Sequence, residues 1–127
     1  MKRFATFILF LTTLLSAYAC ADYASEMDQQ TALNKINAGA ITVIDVRSAE
    51  EFKAGHVPGA LNIPHTEVEA RLTEIIGLKN KPVLIYCRSG RRAGIAEETL
   101  SVNGFSDLHH LKGDMLEWSK NNLPIER

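Results

Sequence analysis

Apolar and polar positions along the chain fall into short blocks separated by glycine and proline. Asp28 to Ala38 has a helical pattern, with Leu33 and Ile36 on one face and Gly39 as the stop signal. Ile41-Thr42-Val43-Ile44 is a β-branched run that predicts a strand. Ser48-Ala49-Glu50-Glu51 has capping-box spacing and opens a short helix through Ala54. Gly55-His56-Val57-Pro58-Gly59-Ala60 reads as a turn leading into Leu61-Asn62-Ile63. Thr66 to Ile76 suits a helix with Val68, Leu72, Ile75 and Ile76 inward and Gly77 closing it. Pro82-Val83-Leu84-Ile85-Tyr86 is nearly all apolar, as in a strand covered on both faces. Ala93 to Val102 predicts another helix, ended by Asn103-Gly104. Asp107 to Leu111 predicts a weaker strand, and Met115 to Asn121 a last helix before Pro124. Strands alternating with helices imply a single α/β domain with a largely parallel sheet flanked by helices.

The amino-terminal stretch follows a different pattern. Lys2 and Arg3 precede an apolar run from Phe4 to Ala19 that ends in small residues, the parts of a secretory signal. The run is short for the ~20 apolar residues of a membrane span. Asp22 follows it, without a basic stop-transfer flank. Cleavage is expected first after Ala21 and second after Ala19. Lipidation of Cys20 ranks third, because Ala17-Tyr18-Ala19 lacks the Leu of a bacterial lipobox and Tyr18 is bulky. The chain therefore divides into a secretory signal peptide, 1–21, and one domain, 22–127, with no stable membrane span after processing.

Length and charge narrow the function classes. The 127 residues carry a formal net charge of −1 and two cysteines. One domain fits that length. A general nucleic-acid binder would carry a marked basic excess, and two cysteines make neither a disulfide scaffold nor a four-cysteine zinc site. Removing residues 1–21 takes away Lys2 and Arg3 but no acid, leaving a net charge of −3 with Cys87 as the remaining thiol.

Cys87 follows the apolar strand directly, in Cys87-Arg88-Ser89-Gly90-Arg91-Arg92, ahead of a helix. In parallel α/β domains ligands bind beyond the carboxyl ends of the strands. Three arginines within five residues, the free amides of a helix start and the helix dipole all favour a thiolate there. Gly90 lets several N–H groups face one centre, forming an anion nest. The alternatives are a buried structural cysteine or a solvated basic face. Burying three arginines is costly, which counts against the first. The residues predict a nucleophilic cysteine in an anion-binding cradle.

Asp45-Val46-Arg47, Glu51-Phe52, Gly55-His56-Val57-Pro58-Gly59-Ala60, the Cys87 loop, and Leu111-Lys112-Gly113 with Trp118 occur in the order found in rhodanese domains. The resemblance spans about Asp28 to Trp118. It implies a rhodanese-like fold and a single-domain thiosulfate sulfurtransferase, placed in the periplasm by the export signal. The family nucleophile maps onto Cys87, which would take the outer sulfur of thiosulfate as a persulfide and pass it to cyanide or a thiol. Arg88, Ser89, Gly90, Arg91 and Arg92 would form the substrate and persulfide-binding loop. No cofactor, metal or nucleic acid is implied, and the protein is expected to act as a monomer. A periplasmic persulfide or redox carrier serving one protein partner is the alternative.

Related phosphatases and arsenate reductases place five residues between cysteine and arginine. Here four separate Cys87 from Arg92, and the fifth-spaced position is Ala93. The shorter cradle matches the family members that hold a sulfur atom. Two departures bear on activity. Ala93 stands where the family often has Ser or Thr, and Asp114 stands where a second glycine is common, an acid expected near the site mouth. Asp45, Arg47 and His56 are expected to give structural support rather than acid–base chemistry. His109 and His110 point to opposite faces of a strand, so with His65 they are not expected to share a metal. Trp118, Leu116 and Phe105 are expected to pack in the core.

Overall fold

A computed structural model describes residues 23–127. The expected signal peptide, its cleavage frames and Cys20 lie outside the described residues. Five strands form one sheet: β1 (Ser25–Met27), β2 (Thr42–Asp45), β3 (Leu61–Asn62), β4 (Val83–Tyr86) and β5 (Leu108–Leu111). Their order is β1-β5-β4-β2-β3, and every adjacent pair is parallel. Parallel neighbours need long crossovers rather than tight hairpins. Helices α1 (Gln29–Asn37), α2 (Ala49–Ala54) and α3 (Arg91–Val102), with a 3-10 segment at Leu72–Leu78, lie in those crossovers, and α4 (Asp114–Lys120) follows β5.

Local chemistry accounts for the helix starts. The Asp28 carboxylate accepts the Thr31 N–H at 2.8 Å and caps α1. Ser48 Oγ accepts the Glu51 N–H, and the Glu51 carboxylate accepts the Ser48 N–H, completing the capping box of α2. Strand β4 is buried along its whole length and divides its side chains by the two-residue period. Val83, Ile85 and then Cys87 face one core with Ala96, Leu100 and Phe105. Leu84 and Tyr86 face the other, with Ala32, Leu111, Met115 and Trp118. The sheet is thus covered on both sides, and Cys87 emerges from its most buried strand.

Several elements differ from the sequence expectations. β1 has no amphipathic signature, since only Met27 of its three residues is buried; its pairing with β5 defines it. Thr66 to Arg71 forms turns, and the helical portion is the 3-10 segment that follows, which continues past Gly77. A repeat of about three residues per turn puts Leu72, Ile75 and Leu78 on the core side. The same repeat turns Ile76 outward, 54% exposed. Leu116 is also outside the core, at 48% exposure: α4 buries Asp114, Met115 and Trp118, which rotates Leu116 to the surface. Trp118 and Phe105 are buried. No helix among the described residues is long and apolar enough to cross a membrane.

Candidate active site

Strand β4 ends at Tyr86, and the chain then passes through Cys87, Arg88, Ser89 and Gly90 into α3. Gly90 makes the turn possible. Its φ of +115° lies in the left-handed region that side chains disfavour. A Cβ there would lie 3.2 Å from Asp114 Oδ2. In this conformation the Gly90 N–H donates to Cys87 Sγ at 3.0 Å. The next amides belong to the first turn of α3, where no preceding carbonyl of the helix can accept them. Cys87 is a free cysteine and only 1% exposed.

The start of α4 grips the same loop from below. The Cys87 N–H donates to Asp114 Oδ1 at 3.0 Å. The Met115 N–H donates to the Cys87 carbonyl at 3.0 Å, and the Leu116 N–H to the Arg88 carbonyl at 3.2 Å. Asp114 is therefore not an acid at the site mouth. It is 2% exposed and lies under the loop, because its backbone enters α4 at a φ of +53° and directs the carboxylate toward Cys87 and His110.

The three arginines of the loop separate. Arg88 and Arg91 are exposed, and neither makes an ion pair among the described residues. Arg92 turns to α2, donating to both carboxylate oxygens of Glu51 at 2.6 and 3.0 Å. The Arg92 hydrogen bond, supported by the capping bonds of Ser48, lowers the Glu51 pKa from the usual 4.5 to about 2. Sequence reasoning identified Glu51 as a cap and missed this pairing, because the partner is 41 residues away.

Asp45 and Arg47 form a buried ion pair at 2.7 Å. Arg47 also donates to the Gly55 carbonyl at 2.7 Å, joining the end of β2 to the turn after α2. The Tyr86 hydroxyl donates to Asp45 Oδ2 at 2.6 Å and accepts the Val57 N–H at 3.0 Å. Burial first, and the Asp45 carboxylate second, hold the Tyr86 phenol well above its ordinary pKa. Tyr86 is a support residue that the sequence reading missed, since its apolar strand context marked it only as core. His56 stacks on Phe52, and its Nδ1 lies 2.8 Å from the Phe52 carbonyl. Ala93 is fully buried and offers no hydroxyl to the loop.

A cleft of about 530 Å³ opens beside the loop, lined by Arg88, Glu51, Gly55, Leu116, Ile125 and Arg127 among others. The histidines are dispersed. His109 bonds to Asp107, and His110 lies between Glu97 and Asp114. Among the described residues no cluster of three or more His, Cys, Asp or Glu side chains is arranged to hold a metal ion.

The family model described as "Rhodanese-like domain" matches residues 28–121. The chain is 32% identical over 120 residues to the Bacillus subtilis protein YqhL, covering 93% of this chain and 94% of that one. It is 41% identical over 70 residues to the thiosulfate sulfurtransferase PspE of Escherichia coli, covering 55% of this chain and 67% of PspE. The human single-domain sulfurtransferase TSTD1 superposes with a TM-score of 0.69 at 27% identity, over 76% of this chain and 96% of that one. With a parallel five-stranded sheet carrying the cysteine loop at the end of β4, the chain belongs to the rhodanese-like family.

Proposed function

We propose that the protein is a thiosulfate sulfurtransferase working through a Cys87 persulfide. The observation that carries this reading is the Gly90 N–H bonded to Cys87 Sγ at 3.0 Å at the carboxyl end of β4. An amide aimed at Sγ stabilises the negative charge on it in the thiolate, and again as the charge returns to Sγ when the persulfide discharges. The Cys87 thiolate attacks the outer sulfur of thiosulfate, and a new S–S bond forms to Sγ. The S–S bond of thiosulfate breaks, and its electron pair leaves with sulfite. Cyanide or a thiolate then attacks the outer sulfur of the persulfide, departs as thiocyanate or an organic persulfide, and returns the pair to Sγ. Two half-reactions sharing one covalent intermediate give ping-pong kinetics.

Exposed Arg88 and Arg91 attract the dianionic donor to a body with a net charge of −3 once residues 1–21 are removed. Ser89 and Gly90 give the loop its turn, while Arg92 ties it to α2 through Glu51. The donor is a small sulfur compound such as thiosulfate, and the acceptor is cyanide or a thiol. Neither step calls for a cofactor or nucleic acid. The proposal places the mature domain, 22–127, in the periplasm as a monomer, with a lipid anchor on Cys20 as the lesser alternative. Leu116, 48% exposed on the cleft wall, favours a second reading, in which the persulfide is delivered to a protein partner.

Mass spectrometry of the exported protein before and after thiosulfate tests these readings together. Expected are an amino terminus at Asp22 and a gain of one sulfur that the Cys87→Ser variant does not show. Thiocyanate should form when cyanide is added. A variant lacking Cys87 that still turns over thiosulfate would overturn the mechanism. A persulfide that forms but discharges to one protein thiol and not to cyanide would favour the carrier.

A further inference from the structure

Cys87 and the buried acids beneath it are linked by one continuous set of hydrogen bonds. Glu97 on α3 bonds to His110 Nδ1, and His110 Nε2 lies 3.0 Å from Asp114 Oδ2. Asp114 Oδ1 in turn accepts the Cys87 N–H at 3.0 Å. The two oxygens of Asp114 thus have separate partners, one on β5 and one in the loop. The Asp114 and Glu97 side chains are buried, and that of His110 is largely so. Two buried carboxylates on either side of a neutral ring would leave uncompensated charge. Their hydrogen bonds, that of Asp114 first and that of Glu97 second, raise the His110 pKa from 6.5 to about 10. At neutral pH the ring is an imidazolium that donates from both nitrogens.

The backbone adds an independent observation. Asp114 has a φ of +53°, a conformation that a residue with a side chain adopts at some cost. That conformation aims the carboxylate at the Cys87 N–H. A carboxylate acceptor makes a stronger hydrogen bond than a neutral one. The next two amides, of Met115 and Leu116, hold the Cys87 and Arg88 carbonyls. The peptide on each side of Cys87 is therefore fixed by the first residues of α4.

We propose that Asp114, oriented by His110 and Glu97, is a positioning residue that holds the Cys87 main chain so that Sγ stays on the Gly90 N–H. The proposal rests on Cys87 being the nucleophile. It does not depend on which sulfur donor is used.

The test compares Asp114→Gly with Asp114→Asn. Glycine suits the left-handed backbone, so this variant keeps the turn while losing the acceptor. Asparagine keeps an amide oxygen where Oδ1 stands. The rate of Cys87 alkylation by iodoacetamide is measured at one pH, at a temperature where urea titration shows each variant folded. Loss of positioning at a reacting centre lowers rates steeply, so Asp114→Gly is expected to react about tenfold more slowly than the parent and Asp114→Asn within about threefold of it. An Asp114→Gly variant that alkylates at the parental rate overturns the proposal. So does an Asp114→Asn variant that falls as far as Asp114→Gly, because restoring the acceptor would then rescue nothing. A parent protein that alkylates readily but takes no sulfur from thiosulfate would sink the sulfurtransferase reading and leave this comparison intact.

Discussion

Replacing Tyr86 with phenylalanine removes one oxygen atom from the best-buried part of the sheet. The hydroxyl has two partners, donating to Asp45 Oδ2 at 2.6 Å and accepting the Val57 N–H at 3.0 Å. Tyr86, Asp45 and Val57 are each 0% exposed, so water does not readily replace the lost bonds. Asp45 keeps Arg47 as a partner, including the 2.7 Å ion pair. The Val57 N–H is left buried without an acceptor. A bond to a charged group contributes about 1.5–3 kcal/mol, and an orphaned buried donor costs about 1–3 kcal/mol. The two effects overlap in one cluster, so a net loss of about 3 kcal/mol is expected. Urea unfolding followed by the fluorescence of Trp118, the single tryptophan and a fully buried one, measures it. Asp45→Asn should cost more, about 3–5 kcal/mol, because it strips the charge partner from buried Arg47. A Tyr86→Phe loss below about 1 kcal/mol would refute the reasoning, since the Val57 N–H would then have found another acceptor.

Three further outcomes follow from the charges and the surface. Glu51 has a folded-state pKa lowered from 4.5 to about 2, so its pair with Arg92 stabilises fully above pH 4.5 and is lost as pH falls toward 2. Glu51→Gln should therefore lower stability at pH 7 by about 1 kcal/mol, after allowing for solvent screening, and match the parent near pH 2 in urea titrations. An equal gap at both pH values would contradict this. His110 has a raised folded-state pKa, so its contribution is complete below pH 6.5 and disappears as pH rises toward about 10. His110→Gln should flatten that alkaline decline, and thermal melts across the window will show whether it does. Leu116, at 48% exposure, should tolerate Leu116→Ala within about 0.5 kcal/mol; a loss typical of core leucines would place it inside after all.

What could be read from the sequence was local. The capping box at Ser48, the helix beginning near Asp28, the apolar run of β4 and the cysteine at its end each depend on residues a few positions apart. The features that escaped are settled by pairing between distant segments. β1 exists because Met27, Glu26 and Ser25 lie in register with β5, and its own sequence carries no alternation. The spacing of Leu72, Ile75 and Leu78 fits a 3-10 turn as well as an α-helix, and the core they reach decides between them. The facing of α4 shows the same dependence: Trp118 and Met115 pack against Tyr86 and Leu111, and that rotation buries Asp114 and exposes Leu116. The charge of the loop changes meaning by the same route. Three consecutive-looking cations suggest a uniformly positive site, yet α2 brings Glu51 to Arg92 and leaves Arg88 and Arg91 to face solvent. The group that touches Sγ is a backbone amide, Gly90 N–H, whose direction depends on a glycine turn clamped from below by α4. Residue types thus located the cysteine at the end of β4, while the packing of α2 and α4 against that end determines which charges and amides reach it.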